Sequence, residues 1–346
     1  MKYPLVSIVI ATLNSENTLA KVLSSIRKQS YPQEELEILV IDGGSKDKTL
    51  DIAKAYGGMI IHNPKVDLVF AKHLGYKKAK GKFLVFLDSD EVLENRNSIK
   101  LKYLTMLGND GVKAVVSSGY KKPTPYPSIN YYINEYGDPF SLFMYRSSRD
   151  TDWFLNELLE KYPKVKEDSQ RAIFDFGMSP NPPFIEFISM GVMIDLEYAK
   201  KVFPKILISP SFHIHLFYLL LSKNNLLAIM KKDSVIHYSA ATVKGYLKKI
   251  KSRIKNNVYA TSMGMGGFKG REKYYGKWFR IKKFLFIPYS LSIVFPCLDS
   301  IILFLTRRKP IYFVHPFLCL YTLLLLVFYY TMKLVGFKPK FAGYGN

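Results

Sequence analysis

Two carboxylates follow a strongly apolar run within residues 83–94, which read FLVFLDSDEVLE. Five apolar residues, Phe83 to Leu87, lead directly to Asp88 and Asp90. Carboxylate oxygens are ligands that Mg²⁺ and Mn²⁺ prefer, and a bound cation would bridge a diphosphate and neutralise its charge as it departs. Burying two carboxylates without a cation would be costly. The pair is therefore a candidate metal site, although an isolated D-x-D also occurs in solvated loops.

Polar residues also follow two earlier apolar runs. The first run, LVSIVIA, leads into Thr-Leu-Asn-Ser-Glu at residues 12–16, and the second, EILVID, leads into Asp-Gly-Gly-Ser-Lys-Asp at residues 42–47. The glycines permit a tight turn and a close approach of a ligand to the backbone. The carboxylate of Asp42 can accept hydrogen bonds from a base or a ribose. Its alternative role is that of a turn former or helix cap.

The elements that must position these residues alternate in type along the first 120 residues. Short apolar runs typical of strands are separated by segments with helical spacing of apolar residues. Strict alternation of strand and helix predicts an α/β fold with a mostly parallel sheet flanked by helices. Ligands of such sheets bind beyond the carboxyl ends of the strands. The predicted strands are LVSIVIA, EILVID, GMIIH, KFLVFLD and VKAVVSS.

A less regular segment, residues 121–185, is rich in Pro and Tyr. We interpret it as a variable insertion that covers the carboxyl edge of the sheet, where an acceptor would sit. The alternative is a plain surface excursion. Regular strand and helix patterns resume beyond it, so residues 1–243 are predicted to form one domain.

Charge and hydropathy change together in the last third of the chain. The 346 residues carry a net charge of +22, and residues 244–346 hold 19 Lys and Arg against two acidic residues. Such an excess indicates a polyanionic partner. Residues 284–305 and 311–331 are apolar and long enough to cross a bilayer. We therefore expect an anionic membrane lipid rather than nucleic acid as the partner, with residues 244–283 as a basic linker.

How the two apolar segments of residues 284–346 meet the bilayer is open at this point. The basic loop at residues 306–310 and the basic flanks give no clean topology under the positive-inside rule. Asp299 lies near the middle of the first segment, with Pro288 and Pro296 nearby. A charge there costs a few kcal/mol to insert. Two membrane helices and a re-entrant or interfacial hairpin both remain possible.

The amino-terminal sequence and the cysteines indicate in which cellular compartment the chain is located. The first ten residues, MKYPLVSIVI, lack the basic region, long apolar core and cleavage site of a signal peptide. The cysteines, Cys297 and Cys319, both lie in apolar segments, and no C-x-x-C pattern is present. We expect no disulfide or zinc site, and a location at the cell membrane with the bulk of the chain on the cytosolic face.

Four stretches together resemble the family 2 glycosyltransferases, whose nucleotide-sugar-binding domain has the GT-A fold: PLVSIVIATLNSENTLAKVLSSIRKQS, EILVIDGGSKDKTLDIA, FAKHLGYKKAKGKFLVFLDSDEVL and SVIHYSA. The resemblance is strong over residues 4–120 and weak over residues 185–240. It implies Mg²⁺ or Mn²⁺ as cofactor and a nucleoside diphosphate sugar as donor. The residues so implied are Thr12, Asn14, Glu16 and Asp42 at the nucleoside, Lys72 near the phosphates, Ser89 at the donor, Asp88 at the ribose or metal, and Asp90 and His237 at the metal.

The chain departs from the family where inverting members usually place a Glu-Asp pair whose Asp is the general base. Here that region reads SPSFHIHLFYLLL, and the best register places His213 at the expected Asp. An imidazole can serve as a base because its ordinary pKa of about 6.5 is close to working pH. His213 is therefore the candidate base, and a structural role or contact with an acceptor phosphate is the alternative. His215, two residues later, shares that structural or phosphate-contacting alternative. The other candidate bases are Glu186, Asp195 and Asp233.

The hypothesis that follows is a membrane-associated inverting glycosyltransferase. It would move a sugar from a nucleoside diphosphate to a polyprenyl phosphate or a polyprenyl-linked saccharide, in assembly of a cell-surface glycan or glycoprotein. A phosphate acceptor is already ionised and needs no base. The alternative is a catalytically degenerate membrane protein that has kept the fold and binds nucleotide or partners without transfer.

Overall fold

The computed structural model describes residues 2–210, 215–259, 271–337 and 339. Twelve strands are described, and they are, in chain order, β1 (Val6–Thr12), β2 (Leu36–Asp42), β3 (Met59–His62), β4 (Phe83–Asp88), β5 (Glu91–Leu93), β6 (Val112–Val116), β7 (Gly119–Lys121), β8 (Lys164–Glu167), β9 (Arg171–Phe174), β10 (Met193–Asp195), β11 (Leu226–Met230) and β12 (Ser234–His237).

The α-helices of the described residues lie between and after these strands. They are α1 (Leu19–Arg27), α2 (Thr49–Ala55), α3 (Leu68–Lys78), α4 (Ser98–Leu107), α5 (Ile129–Tyr136), α6 (Pro139–Tyr145), α7 (Phe154–Lys161), α8 (Leu196–Val202), α9 (Lys205–Ile208), α10 (Leu216–Leu221), α11 (Val243–Tyr259), α12 (Lys277–Ser292), α13 (Val294–Arg307) and α14 (His315–Leu334).

The chain folds as two compact units. The sheet unit comprises residues 1–121, 151–179 and 185–238, and the helical unit comprises residues 122–150, 180–184 and 239–346. The segment predicted as an insertion is thus divided. Its α5–α6 part belongs to the helical unit, whereas its β8–β9 part extends the sheet.

A nine-stranded sheet in the order β3-β2-β1-β4-β10-β6-β11-β9-β8 forms the centre of the sheet unit. Strand β1 pairs in parallel with β2 and β4, and β2 pairs in parallel with β3. Strand β10 is antiparallel and lies between β4 and β6. The predicted α/β class with a central sheet flanked by helices is confirmed. The sheet is less parallel than predicted, because four of its eight strand pairs, all between β4 and β8 in the strand order, are antiparallel. A smaller sheet, β5-β12-β7, completes the unit.

The central strands are buried over nearly their whole length. All seven residues of β1 are buried, as are the first five of β4. Strands covered on both faces read as continuous apolar runs, which is why VSIVIA and FLVFL show no alternation. Helix α1 instead buries one face, and its buried residues Leu19, Val22, Leu23 and Ile26 recur at helical spacing.

Helix α3 approaches β1 at a glycine. A β-carbon placed on Gly75 would lie 2.3 Å from Cγ1 of Val9, well inside van der Waals contact. The absence of a side chain at Gly75 therefore sets how closely α3 packs on the sheet. This spacing matters because α3 carries Lys72, which is fully buried.

The helical unit contains α5, α6 and α11–α14. Residues 284–305, predicted as one apolar segment, lie in two helices, because α12 ends at Ser292 and α13 begins at Val294 with a bend of 91°. Ile293 at the bend has φ +58°. Among the described residues, Pro310–Leu334 is the one continuous helical stretch long and apolar enough to cross a membrane, by length and composition alone.

We expect Gly75→Ala to lower the free energy of unfolding by about 1–3 kcal/mol, because the added methyl group overpacks the contact with Val9. Urea denaturation followed by circular dichroism measures the change. Gly108→Ala is the matched control, since a β-carbon there would lie 3.4 Å from its nearest neighbour, an ordinary contact. Equal denaturation midpoints for the two variants would contradict the close packing of α3 on β1.

Candidate active site

The strand register brings three predicted site residues to one edge of the sheet. Thr12 at the end of β1 pairs with Asp42 at the end of β2, and the preceding residue, Ala11, pairs with Asp88 at the end of β4. Because β1, β2 and β4 are parallel, their carboxyl ends open on the same side. The three polar segments that the sequence singled out therefore meet there.

Asn14 and Glu16 bind the neighbouring loop through their side chains. The Asn14 side-chain oxygen accepts a hydrogen bond from the Lys46 amide at 2.9 Å, and the Asn14 amide donates to Ser45 Oγ at 2.8 Å. The Glu16 carboxylate accepts from the Lys48 amide at 3.1 Å. These bonds join the loops after β1 and β2. Both side chains are exposed, and their contact with a nucleoside stays a prediction.

Asp42 shapes its own loop. Its Oδ2 accepts hydrogen bonds from the amides of Gly44 at 2.7 Å and Ser45 at 2.9 Å, and its Oδ1 accepts from the Ser45 hydroxyl. The residue is 4% exposed. The turn-forming role, open from the sequence, is thus present in the structure. Beside it, Thr12 is fully buried, and within the described residues its Oγ1 has no hydrogen-bond partner.

A buried cation lies against the first carboxylate of D-S-D. The Lys72 ammonium is 2.7 Å from Asp88 Oδ1 and also donates to the carbonyl oxygen of Leu87. The Lys72 side chain is fully buried, whereas that of Asp88 is 28% exposed. The ammonium of Lys72 on α3 therefore balances the charge of Asp88 on the buried side, while part of the Asp88 side chain is exposed to solvent at the sheet edge.

Glu91, which the sequence reasoning did not single out, is fully buried beneath the D-S-D turn. Its carboxylate accepts hydrogen bonds from the amide of Asp88 at 3.0 Å, from the amide of Met190 at 3.0 and 3.1 Å, and from the Tyr120 hydroxyl. It thus connects the turn to the segment before β10 and to β7. The sequence signal for Glu91 is its position: an acidic residue directly after Asp90, at the start of the short strand β5.

Burial raises the pKa of Glu91 to about 8. The cost of removing the carboxylate from water is the main cause, and the negative charge of Asp88 adds to it. The positive charge of Lys72 and the hydrogen bond from Tyr120 act in the opposite direction. The turn therefore contains an acid that holds its proton far above the usual range.

Asp90 and His237 meet above the smaller sheet. His237 Nε2 lies 3.7 Å from Asp90 Oδ1, and both side chains are partly exposed. The imidazole stacks on the Tyr120 ring with centroids 4.4 Å apart. Ser89, between the two aspartates, is hydrogen bonded to Ser15 at 2.8 Å. Hence the D-S-D turn, the loop after β1 and the end of β12 surround one region.

A divalent cation fits part of this arrangement. Among the described residues, no cluster of three or more His, Cys, Asp or Glu side chains is arranged to hold a metal. Asp90 and His237 offer two hard or intermediate donors close together, whereas Asp88 is engaged by Lys72. Mg²⁺ is commonly bound by one or two carboxylates together with substrate phosphates and water. A two-donor protein site suits that mode of binding.

The two histidines of this region are described only in part. His213 lies outside the described residues. His215 is buried directly before α10, and its carbonyl oxygen accepts a hydrogen bond from the Leu219 amide at 3.0 Å.

Two of the alternative carboxylate bases have structural partners. Asp233 is 1% exposed and lies 2.8 Å from the equally buried Lys102. Asp195 caps α8 by accepting the Tyr198 amide at 3.0 Å. A buried ion pair and a helix cap account for these two residues without a catalytic role. Glu186 is partly exposed and lies in the irregular segment before β10.

We expect the wild-type protein to lose stability relative to Glu91→Gln as pH rises from about 5 to 8. The fold holds a proton on Glu91 that the unfolded chain releases near its ordinary value of 4.5, so unfolding is favoured as pH rises through this window. Urea denaturation of both proteins across this range measures the difference.

The matched control for this pH dependence is Glu94→Gln. Lys121 lies 2.6 Å from Glu94, and the pKa of Glu94 is lowered, with the hydrogen bonds from Lys121 and Ser234 outweighing burial. Its stabilising effect is complete above pH 4.5 and declines only in acid. The difference between wild type and Glu94→Gln should stay constant from pH 5 to 8. A constant difference for Glu91→Gln as well would contradict the raised pKa.

The sequence that forms this sheet edge is similar to that of known proteins. Residues 7–157 match the profile of Glycosyl transferase family 2. A validoxylamine A glucosyltransferase from Streptomyces hygroscopicus subsp. limoneus is 27% identical over 180 residues, which are 49% of this chain and 38% of that protein. The poly(ribitol-phosphate) beta-N-acetylglucosaminyltransferase TarS of Staphylococcus aureus is 32% identical over 102 residues, 27% of this chain and 17% of that protein. The chain thus matches less than half the length of these curated relatives.

A solved structure shares the fold over almost the whole chain. The mannosyltransferase PcManGT from Pyrobaculum calidifontis, in complex with GDP-Man and Mn²⁺, aligns with a TM-score of 0.51 at 14% identity and covers 96% of this chain and 88% of its own. The parallel strands, the D-S-D turn at their carboxyl edge and these matches lead to one conclusion. Residues 7–157 of the chain match the Glycosyl transferase family 2, and the chain has a GT-A fold.

Proposed function

We propose that the chain is a membrane-associated inverting glycosyltransferase that uses a nucleoside diphosphate sugar. The acceptor is a polyprenyl phosphate or a polyprenyl-linked saccharide, and the product serves assembly of a cell-surface glycan or glycoprotein. The observation that carries the proposal is the convergence of the D-S-D turn, the buried Lys72 and the loop after β1 at one sheet edge. Relatives named as glucosyl- and N-acetylglucosaminyltransferases support the reaction class.

In this proposal the loops after β1 and β2 and the turn after β4 bind the donor. Thr12, Asn14, Glu16 and Asp42 contact the nucleoside in this proposal, and Ser89 contacts the donor. The two loops are already joined by hydrogen bonds, so their geometry is set before the donor arrives. A prearranged site loses less entropy on binding.

The leaving diphosphate is stabilised by charge that is already in place. Lys72 is fully buried at 2.7 Å from Asp88, so it needs no reorganisation to raise the local potential. In this proposal Asp90 and His237 hold Mg²⁺ or Mn²⁺, with Asp88 at the ribose or the metal. The bound cation supplies neutralisation of the diphosphate charge. The Mn²⁺ complex of PcManGT supports this cofactor class.

Inversion requires an acceptor oxygen to attack the anomeric carbon from the face opposite the diphosphate. The bond to the acceptor oxygen forms while the bond from carbon to the diphosphate oxygen breaks. With a hydroxyl acceptor, a ring nitrogen of His213 takes the proton. With a phosphate acceptor the attacking oxygen is already ionised, and no base is needed. The absence of a carboxylate between Glu197 and Asp233 supports a phosphate acceptor.

Membrane association is supported by the composition of the helical unit. Residues 244–346 combine a net charge of +17 with the apolar helices α12–α14. Clustered basic residues beside apolar helices are attracted to anionic lipid. A lipid-borne acceptor would be presented at such a surface. The proposed location is the cell membrane, with the catalytic domain on the cytosolic face.

Asp90→Asn should lower transfer at least about 100-fold, because it removes a carboxylate that would hold the cation neutralising the leaving diphosphate. The assay uses full-length protein, a panel of labelled nucleotide sugars and polyprenyl phosphate or polyprenyl-linked saccharide acceptors. Asp110→Asn, at an exposed position after α4, is the control and should keep full activity. Transfer by Asp90→Asn at the wild-type rate would overturn the proposed site. A wild-type protein that binds nucleotide and transfers no sugar would instead favour the catalytically degenerate alternative.

Removal of divalent cations with EDTA should abolish transfer, and added Mn²⁺ or Mg²⁺ should restore it. The physical reason is that two neighbouring negative charges on the diphosphate lose their counterion. Calorimetry of nucleoside diphosphate binding, with and without Mn²⁺, should show tighter binding with the ion. Undiminished transfer in excess EDTA would contradict the cofactor assignment while leaving the reaction class intact.

A further inference from the structure

The exposed apolar surface is concentrated in the C-terminal helices. Of the 27 large apolar side chains exposed within the described residues, 22 lie between Trp278 and Phe337. Soluble monomers rarely expose contiguous apolar patches larger than a few hundred Å². Helices α12, α13 and α14 therefore need a partner of low polarity. The arrangement of these helices decides whether they can cross a bilayer or only lie on its surface.

The bent pair α12–α13 is too short on each side of its bend to cross a bilayer. The apolar part of α12, residues 284–292, extends about 13 Å, and α13 about 21 Å, against a hydrocarbon thickness of about 30 Å. The bend of 91° prevents the two lengths from adding. The residues at the bend, Ile293, Val294 and Phe295, are all exposed and apolar. The bend is thus the part of the pair suited to enter lipid most deeply.

Both ends of this pair are tied to neighbouring points of the α5–α6 helices. The Lys282 ammonium donates to the Met144 carbonyl at 2.9 Å, and Arg307 Nε donates to Glu135 Oε1 at 2.6 Å. Glu135 and Met144 are nine positions apart along a mostly helical segment, a separation of about 13 Å at the helical rise. A spanning segment would hold the two cations about 30 Å apart, in opposite head-group layers.

The negative charge of Asp299, in the apolar helix α13, is paired with an arginine that directly follows α6. Asp299 accepts two hydrogen bonds from the Arg146 guanidinium, at 3.0 and 2.9 Å, and one from Tyr289 at 2.5 Å. The bond from Tyr289 joins α12 to α13 across the bend. The Arg146 side chain is 54% exposed, and an exposed guanidinium is unfavourable at the centre of a bilayer. The middle of α13 therefore lies near an aqueous surface.

Helix α14 is long enough to span but packs along a basic helix. The Tyr321 hydroxyl donates to the Leu247 carbonyl at 3.3 Å, and the Lys333 ammonium donates to the Val258 carbonyl at 2.6 Å. These contacts run in parallel along α11, which carries six Lys and Arg and no acidic residue. A helix with that charge cannot enter hydrocarbon. The α14 segment beside it is thereby held at the interface.

We infer that residues 277–337 bind one leaflet of an anionic bilayer and that none of these helices crosses it. Exposed cations at the start of α12, Lys277 and Arg280, and at the end of α13, Arg308, lie at both ends of the bent pair. They match anionic head groups at a single level, with the bend between them in the acyl region. This inference rests on the proposed membrane association and specifies its mode.

Cysteine labelling in membrane vesicles from expressing cells tests the inference. The background is the full chain with Cys297→Ala and Cys319→Ala, which removes both native cysteines. Single cysteines are then placed by Lys309→Cys, after α13, and Phe337→Cys, after α14. Ser169→Cys, exposed in the sheet unit, is the reference. An impermeant maleimide is added to inverted and to right-side-out vesicles.

All three positions should label in inverted vesicles and stay protected in right-side-out vesicles. Labelling of Lys309→Cys or Phe337→Cys from the face opposite Ser169→Cys would overturn the one-leaflet arrangement while leaving membrane association intact. Full-length protein that remains in the soluble fraction would overturn the association itself, and the inference with it. If the cysteine-free chain does not fold, epitope tags placed in the otherwise wild-type chain, one after Lys309 and one at the C-terminus, give the same comparison when protease cleavage of each tag is followed in both kinds of vesicle.

Discussion

Parallel hydrogen bonding of β1 to β2 and β4 is the constraint on which the candidate site depends. This register places Thr12 beside Asp42, and Ala11 beside Asp88. Residues more than 70 positions apart thereby share one edge. The close approach of α3 at Gly75 depends on the same strands. A one-residue shift of register would turn these side chains to the other face of the sheet and separate them.

The charges beneath that edge form one connected arrangement. Lys72 neutralises Asp88 from below, and Glu91 accepts the Asp88 amide while it binds the segment before β10. The turn that presents Asp90 is thus held by a cation and an acid that are both fully buried. Their low-dielectric surroundings strengthen each interaction and make the loss of any partner costly. Prearranged charge of this kind would stabilise the departing diphosphate of the proposed reaction.

The helical unit combines apolar exteriors with a polar interior. Asp299 and Glu135, both buried, are paired with arginines on neighbouring helices. His315 is hydrogen bonded to Tyr132 at 2.6 Å and to Tyr289 at 2.8 Å. These contacts join α5–α6 to the C-terminal helices, although more than 130 residues separate them in sequence. A helical unit with an apolar exterior and with polar contacts between its helices is compatible with the proposed attachment to one leaflet.

The sequence by itself determined the α/β class, the strands around the D-S-D turn and the position of the apolar segments, because these follow from local periodicity and composition. Only the tertiary structure decided that Glu91 is buried beneath the turn, that Asp42 accepts hydrogen bonds from its own loop, and that α12 and α13 bend at Ile293. Burial and pairing depend on contacts between residues distant in sequence. Periodicity reports only which face of an element is apolar, not which partner it meets.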